Sequence, residues 1–363
     1  MSNRYAALEA RVAALDAAGL RRQLVALRPT SATTARAGSE DLVVFCSNDY
    51  LGLAAHPEVQ AAFLGSGAGS ARLVSGNRPA HVELEEALGE HFGRPATLFG
   101  SGYAANLGLL TTVLQRGDRV VSDALNHASI IDGLRLSGAE RQIVPHGGDP
   151  ESLPGARLAV TESLFSMDGD LADFTRWTGE PWLAVDEAHA VGALGPDGRG
   201  LAADRGVDPD FLVGTLGKAF GAAGAFVVGP SALRELLVST ARSFVYSTGM
   251  PEGVARAALV GLRLANAERR ERLARNAARL RSGLRQIGAQ VLGEAHIVPV
   301  LTGSRTMQVA RALRSDGVFA PGIRHPTVPR GLERVRFTAS SEHTDEQIDR
   351  CIAAMAAALS QTA

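Results

Sequence analysis

Between about residues 80 and 250, short unbroken apolar runs alternate with longer helical stretches, and this alternation constrains the fold more than any other feature. The clearest runs are Arg119–Ser122, Leu158–Thr161, Trp182–Val185, Phe211–Gly214 and Ala225–Val228. A strand with one wet face alternates apolar and polar residues, whereas a strand that is apolar throughout must be covered on both faces. Helices between successive strands supply that cover and allow the crossovers that parallel pairing needs. The expectation is an α/β fold with a large, mostly parallel sheet. At 363 residues the chain has room for that unit and a smaller one.

The flanks read more simply. Residues 1–27 suggest a helix, with Leu8, Val12 and Leu15 at helical spacing. A polar loop from Pro29 to Glu40 and a strand at Leu42–Cys46 follow. The proline-free stretch Gly253–Ile287 reads as one or two helices and marks a boundary between units. Beyond it, strand-like His296–Leu301, helical Arg305–Asp316, strand-like Arg334–Thr338 and the helix Thr344–Leu359 form a small second α/β unit. The expected division is an arm at 1–40, a large domain at 41–255, and a small C-terminal domain at 256–363 that includes the connecting helix.

A formal net charge of −1 gives no reason to expect a nucleic-acid or acidic-membrane partner. The basic stretch Arg269–Arg285 has Glu268 and Glu271 beside and within it, and reads as a solvated helix face. Cys46 and Cys351 are too few for a disulfide framework or a cysteine zinc site, which suggests a reducing compartment. Charged residues from Arg4 to Arg22 interrupt the amino terminus, unlike a signal peptide, and no apolar stretch has the length of a membrane span. A cytoplasmic location is expected.

Four segments carry chemistry. In Gly214-Thr215-Leu216-Gly217-Lys218-Ala219-Phe220-Gly221, a lysine follows an apolar strand among small residues. An amine there can form a Schiff base with an aldehyde cofactor, provided burial or nearby positive charge lowers its pKa. A surface lysine in a glycine-rich loop is the plainer reading. Lys218 is, however, the chain's only lysine, against 36 arginines.

The second segment, Leu183-Ala184-Val185-Asp186-Glu187-Ala188-His189, is an apolar strand ending in acid and imidazole. A carboxylate such as Asp186 against a pyridine nitrogen keeps the ring protonated, so that it can accept electrons from a substrate carbanion. His189 could hydrogen-bond a phenolic oxygen on the same ring. The same letters resemble a helicase-type ATPase box, but Ala219 follows Lys218 and position 212 is Leu, so the phosphate loop that box requires is missing.

The third segment, Leu98-Phe99-Gly100-Ser101-Gly102-Tyr103-Ala104-Ala105-Asn106, places glycines where a strand turns into a helix. Backbone N–H groups and the helix dipole can hold a phosphate there. The pattern also fits a dinucleotide fingerprint, with Asp123 about 20 residues on, so a nicotinamide oxidoreductase is an alternative. That reading leaves Lys218 and the Asp186–His189 segment unexplained, and a simple tight turn is a third reading of the glycines. The fourth segment, Asp123 to Ser129, places His127 where an imidazole could stack on a flat ring.

In order and spacing these segments resemble the α-oxoamine synthases of the type I pyridoxal-phosphate (PLP) fold, over roughly residues 20–350. Further matches are Ser47–Leu53, Arg72–Gly76 with His81 and Leu84-Glu85, Thr161-Glu162, Phe165–Gly169, Tyr246-Ser247-Thr248 and Pro326–Pro329. Departures are Ala225, the segment between Phe63 and Gly69, and the turn Pro145–Pro154 with its Pro-His-Gly-Gly-Asp-Pro.

The resemblance implies an aspartate-aminotransferase-like type I PLP transferase fold, a homodimer with active sites at the interface, and decarboxylative condensation of an amino acid with an acyl thioester. By position, Lys218 carries PLP and shuttles protons, Asp186 pairs with the pyridine nitrogen, and His127 stacks on the ring. His189 and Ser166 contact the phenolic side, and Gly102, Tyr103 and Thr215 hold the phosphate, joined by Thr248 of a partner subunit. Arg336 binds the amino-acid carboxylate, and Arg21, Asn48 and Thr327 lie near substrate. The segment Gly67–Gly76 is most similar to the branch joining L-alanine to a pimeloyl thioester, on coenzyme A or a carrier protein. A glycine-using branch, or another acyl-CoA, is the alternative within the family.

Overall fold

The computed structural model describes residues 4–148, 155–174, 177 and 181–362. Its central sheet runs in the spatial order Ala96–Phe99, Ala225–Val228, Phe211–Thr215, Trp182–Asp186, Leu158–Glu162, Arg119–Asp123, Glu140–Val144. From Phe211–Thr215 to Glu140–Val144 every neighbouring pair is parallel. Ala225–Val228 is antiparallel to both of its neighbours. The reason is chain length, because the link Leu216–Gly224 is too short for the crossover that parallel pairing requires. Lys218 sits in that link.

Both faces of the sheet are covered, as the apolar runs demand. Leu212, Phe226 and Val228 point into a core with Leu84, Leu88 and Phe220. Val213, Ala225 and Val227 point the other way, against Leu109, Leu110, Ile130 and Leu134. Each such valine, leucine, isoleucine or phenylalanine contributes about 1.5–3 kcal/mol when fully buried. Glu140–Val144 is the polar edge strand, exposed over most of its length, and its mixed sequence carries no apolar run.

The C-terminal third builds a core of its own. Ile297–Leu301 and Arg334–Thr338 pair antiparallel, under the helices Ala267–Gln286, Thr306–Ser315 and Asp345–Gln361. The strand read at Leu42–Cys46 spans Glu40–Val44 and pairs with Val318–Phe319. Phe45 packs in this core, so the expected boundary after residue 40 falls within a strand bound to the C-terminal part.

The stretch Gly253–Ile287 forms two helices, Glu252–Leu264 and Ala267–Gln286, parted at Asn266, whose side chain accepts from the Arg269 N–H at 3.0 Å. The amino-terminal helix covers only Ala6–Ala17 and buries nothing. Shortly after it, Gly19 adopts a left-handed conformation (φ 65°) that ends helical geometry. Of the turn expected over Pro145–Pro154, residues 149–154 lie outside the described residues. No helix among the described residues is long and apolar enough to cross a membrane.

Candidate active site

Parallel strands in register end on one edge of the sheet, and there Asp123, Glu162, Asp186 and Thr215 come together. Glu162 lies directly opposite Asp186 in the pairing. Asp186 is buried; Asn106 donates to its Oδ2 at 2.7 Å and the Ala188 N–H to its Oδ1 at 2.9 Å. Two charge-assisted hydrogen bonds fix this carboxylate in one orientation. Glu162, burial of which is reinforced by the neighbouring Asp186, has its pKa held well above the usual carboxylate range.

Asn106 also donates to Ser129 Oγ at 2.9 Å, and Ser129 Oγ lies 2.8 Å from Nδ1 of His127. His127 caps the helix Ala128–Ser137, accepting at Nδ1 from the Ser129 N–H at 3.2 Å. Burial, with Lys218 nearby, lowers its pKa even though Asp186 opposes the shift. The Lys218 amine is itself pushed down to about 8, chiefly by burial and against the pull of Asp186 and Glu162. An amine with that value exchanges protons near neutral pH.

The phosphate-type cradle begins at Gly102, the first residue of the helix Gly102–Val113, which Ser101 caps by accepting from the Ala104 N–H at 3.1 Å. A Cβ placed on Gly100 or Gly102 would meet nothing within 4 Å, so space lies open in front of the helix's N–H groups. The Tyr103 hydroxyl donates to Asp132, and its ring meets that of His127 edge-on at 6.4 Å. Thr215 uses its hydroxyl locally, donating to the Gly224 carbonyl at 3.0 Å and accepting from the Gly217 N–H at 3.2 Å. Thr248 is exposed, bridges to Ala71, and lines a small open cleft together with Gly100.

On the far side of Asp186, His189 is buried with Nδ1 2.6 Å from the Tyr50 hydroxyl. Burial first, then the positive charge of Lys218 and Arg336, holds its pKa well below the usual value, so it is neutral. Tyr50 also reaches Asn48 Oδ1 at 3.1 Å, and its ring lies 4.0 Å from that of buried His296. Arg336, from the C-terminal sheet, is buried and donates through Nε to the Ser166 carbonyl. Arg21 and Thr327 lie exposed at the rim. Arg21 pairs with Asp16 at 2.8 Å, its carbonyl accepts from Arg324, and Thr327 accepts from Arg22 at 2.9 Å.

The structure therefore gathers Lys218, Asp186, His127, His189, Ser166 and Arg336 around one strand edge. Asn106, Tyr50, Glu162 and His296 belong to the same cluster but carried no assigned role in the sequence. A signal for Asn106 existed, since it lies one helical turn after Gly102 on a face that must meet the sheet. Glu187, between the two site residues of its segment, is structural. Its carboxylate accepts from the N–H groups of Leu201 and Ala202 at 3.0 and 2.7 Å, and burial pushes its pKa up to about 7.

Comparisons with known proteins place the whole chain among relatives. The family model for aminotransferase class I and II matches residues 40–355. An 8-amino-7-oxononanoate synthase from Anaeromyxobacter sp. (strain K) is 46% identical, over 96% of this chain and 94% of that protein. One from Stutzerimonas stutzeri (strain A1501) is 44% identical over 96% of each. Among solved structures, a serine palmitoyltransferase from Sphingomonas wittichii superposes with TM-score 0.92 at 30% identity, covering 99% of this chain and 98% of that one. An 8-amino-7-oxononanoate synthase from Francisella tularensis superposes with TM-score 0.77 at 26% identity, covering 88% and 98%. By sequence match and by the type I fold it shares with these structures, the chain belongs to the aminotransferase class I and II family, in its α-oxoamine synthase branch.

Proposed function

We propose that this chain carries out the reaction of the 8-amino-7-oxononanoate synthases, condensing L-alanine with a pimeloyl thioester and releasing CO₂ and the thiol carrier. The observation that carries this reading is 46% identity to such a synthase over 96% of the chain, with the sole lysine inside the acidic cluster at the strand edge.

Its cofactor is PLP, which a superposing serine palmitoyltransferase structure carries. The residues present fit it. A buried amine of lowered pKa suits its aldehyde, a fixed carboxylate suits its ring nitrogen, and an unobstructed helix N-terminus suits its phosphate. When bound, PLP supplies an electron sink for charge developing at the α-carbon of the amino acid.

The remaining work falls to the chain's own residues. Lys218 Nζ anchors the cofactor, takes the α-proton and returns one at the end. Asp186, oriented by Asn106, holds the ring nitrogen's proton in place. His127 covers one face of the ring. Neutral His189 and the Ser166 hydroxyl meet its phenolic side. Gly102, Tyr103 and Thr215 receive the phosphate, with Thr248 contributed across a dimer. Arg336 grips the substrate carboxylate through a guanidinium fork, while Asn48, Arg21 and Thr327 face substrate.

A homodimer is supported by apolar side chains left exposed along the amino-terminal arm, namely Leu8, Val12, Leu15, Leu24 and Val25. A cytoplasmic location is proposed with it, supported by the free thiols of Cys46 and Cys351. The domain division is likewise a proposal, with a small domain at 256–363 that the strand Glu40–Val44 joins.

The structural likeness to serine palmitoyltransferase favours a second reading, with another amino acid and a longer acyl chain. One experiment separates the two. PLP-loaded protein is titrated with L-alanine, glycine and L-serine while its visible absorption is followed, then given pimeloyl-CoA or palmitoyl-CoA and assayed for thiol release. Response to alanine with pimeloyl-CoA is the expected result; turnover only with serine and palmitoyl-CoA would overturn it.

A further inference from the structure

The turn bearing Ser166 is held from its far side by a residue that the proposed mechanism does not use. His146 follows the edge strand Glu140–Val144, in the turn whose sequence departs from the family pattern. Its Nδ1 lies 3.1 Å from each carboxylate oxygen of Asp123, and its Nε2 lies 2.8 Å from Oδ2 of Asp170. Two ring nitrogens facing carboxylates are satisfied together only by an imidazolium, which donates from both. The bond to Asp123, then that to Asp170, raises its pKa to about 10 against the effect of burial. The Phe165 ring meets the imidazole edge-on, at 4.4 Å and 80°.

One end of this clamp is fixed. Asp123 is buried where a central strand ends, and it accepts from the N–H groups of Leu125 at 2.7 Å and Gly147 at 3.3 Å. The other end belongs to the turn itself. There the Phe165 N–H donates to the Asp170 carbonyl at 3.1 Å, and the Gly169 N–H to the Phe165 carbonyl at 2.8 Å. Across the turn, Arg336 donates to the Ser166 carbonyl, while Arg334 donates to the Met167 carbonyl at 3.1 Å and to the Asp168 carboxylate. Glu294 accepts from the Leu171 N–H at 3.3 Å. The turn therefore sits between the central sheet, from whose strand Leu158–Glu162 it continues, and the C-terminal sheet; the Asp170 end of the turn is tied by His146 to the neighbouring strand end at Asp123.

We infer that His146 is a positioning residue, its bridge between Asp123 and Asp170 setting the Phe165–Asp170 turn, and so Ser166 and Arg336, against cofactor and amino-acid substrate. This rests on the proposed function for the roles of Ser166 and Arg336. A displacement of about 1 Å at such groups is enough to cost of order a hundredfold in rate, so a distant tie can matter.

The test compares His146→Ala, His146→Gln and Asp170→Asn. For each, PLP affinity is read by equilibrium dialysis, amino-acid KM and kcat by assay, and Tm by calorimetry. His146→Ala is expected to weaken PLP affinity and raise the amino-acid KM by about tenfold each, the scale of one charge-assisted bond, with a smaller change in kcat. Asp170→Asn should do the same in part, His146→Gln should recover some of the loss through its side-chain N–H, and His146→Ala with Asp170→Asn together should lose little beyond the worse single variant. A lowered Tm with PLP affinity and KM unchanged would overturn the inference, as would fully additive losses. Should His146→Ala not fold, Asp170→Asn decides alone. PLP affinity needs no substrate, so wild-type protein inactive with alanine and pimeloyl-CoA would count against the proposed function and leave this test standing.

Discussion

The Tyr50 hydroxyl lies 2.6 Å from Nδ1 of His189, and both residues are buried. The hydroxyl gives its one proton to Asn48 Oδ1 at 3.1 Å, an atom that can only accept, so neutral His189 donates from Nδ1 to the phenolic oxygen. Tyr50→Phe removes one oxygen and leaves the ring packing on His296 intact. The expected result is a stability loss of about 1–3 kcal/mol from the buried nitrogen left unsatisfied, with a shift in the visible band of bound PLP. A variant with wild-type spectrum and turnover would remove Tyr50 from the site's machinery.

Asp186→Asn loses the charge and can keep its place, its oxygen accepting from the Ala188 N–H while its amide donates to Asn106 once that side chain turns its own oxygen inward. PLP should still bind at Lys218 and colour the protein. Turnover should fall by about 10²–10³, the usual scale for removing one preorganised electrostatic group. Stopped-flow absorption and steady-state assays measure the two effects separately. Full activity would show that the ring nitrogen is served by another group.

Arg336→Lys keeps positive charge but loses the planar fork. The KM for the amino acid is expected to rise about tenfold, the cost of weakening one charge-assisted bond by 1.4 kcal/mol, while the KM for the acyl thioester stays near wild type. An unchanged amino-acid KM would place the carboxylate site elsewhere.

Lys218 offers a pH test that the composition makes clean. Because burial dominates and lowers its pKa to about 8, the amine is mostly protonated at pH 7 and mostly free base at pH 9. Acylation of cofactor-free protein, followed by mass spectrometry of the peptide containing the only lysine, should rise through a midpoint near pH 8. A midpoint near the ordinary 10.5 would mean that the amine is solvated and unsuited to its role.

The central sheet was legible because its strands must exclude water on both faces, and Phe211–Thr215 or Leu158–Glu162 can do so only with unbroken apolar side chains. The edge strand Glu140–Val144 was not, since one side of it is wet and its residues are mixed. The amino-terminal helix was read too long because Leu8, Val12 and Leu15 keep helical spacing without a core of their own to specify its end. The site residues proposed for the cofactor stand beside strand ends and glycine turns, and those signals are local. Their partners are not. Asn106 meets Asp186 across 80 residues and Tyr50 meets His189 across 139, distances over which a single sequence carries no pairing signal.

The strand Arg334–Thr338 fastens the segment before Tyr50, with the Thr338 N–H donating to the Phe45 carbonyl at 2.7 Å and its hydroxyl to the Ser47 carbonyl at 2.8 Å. The Ser341 N–H donates to the Tyr50 carbonyl at 2.8 Å. The site is thus stitched from an early and a very late part of the polypeptide. During synthesis, a chain made only as far as residue 333 can hold the central sheet but has neither Arg336 nor the anchor for Tyr50. Competence waits for residues 334–341, and a nascent chain stalled before them should be silent toward substrate.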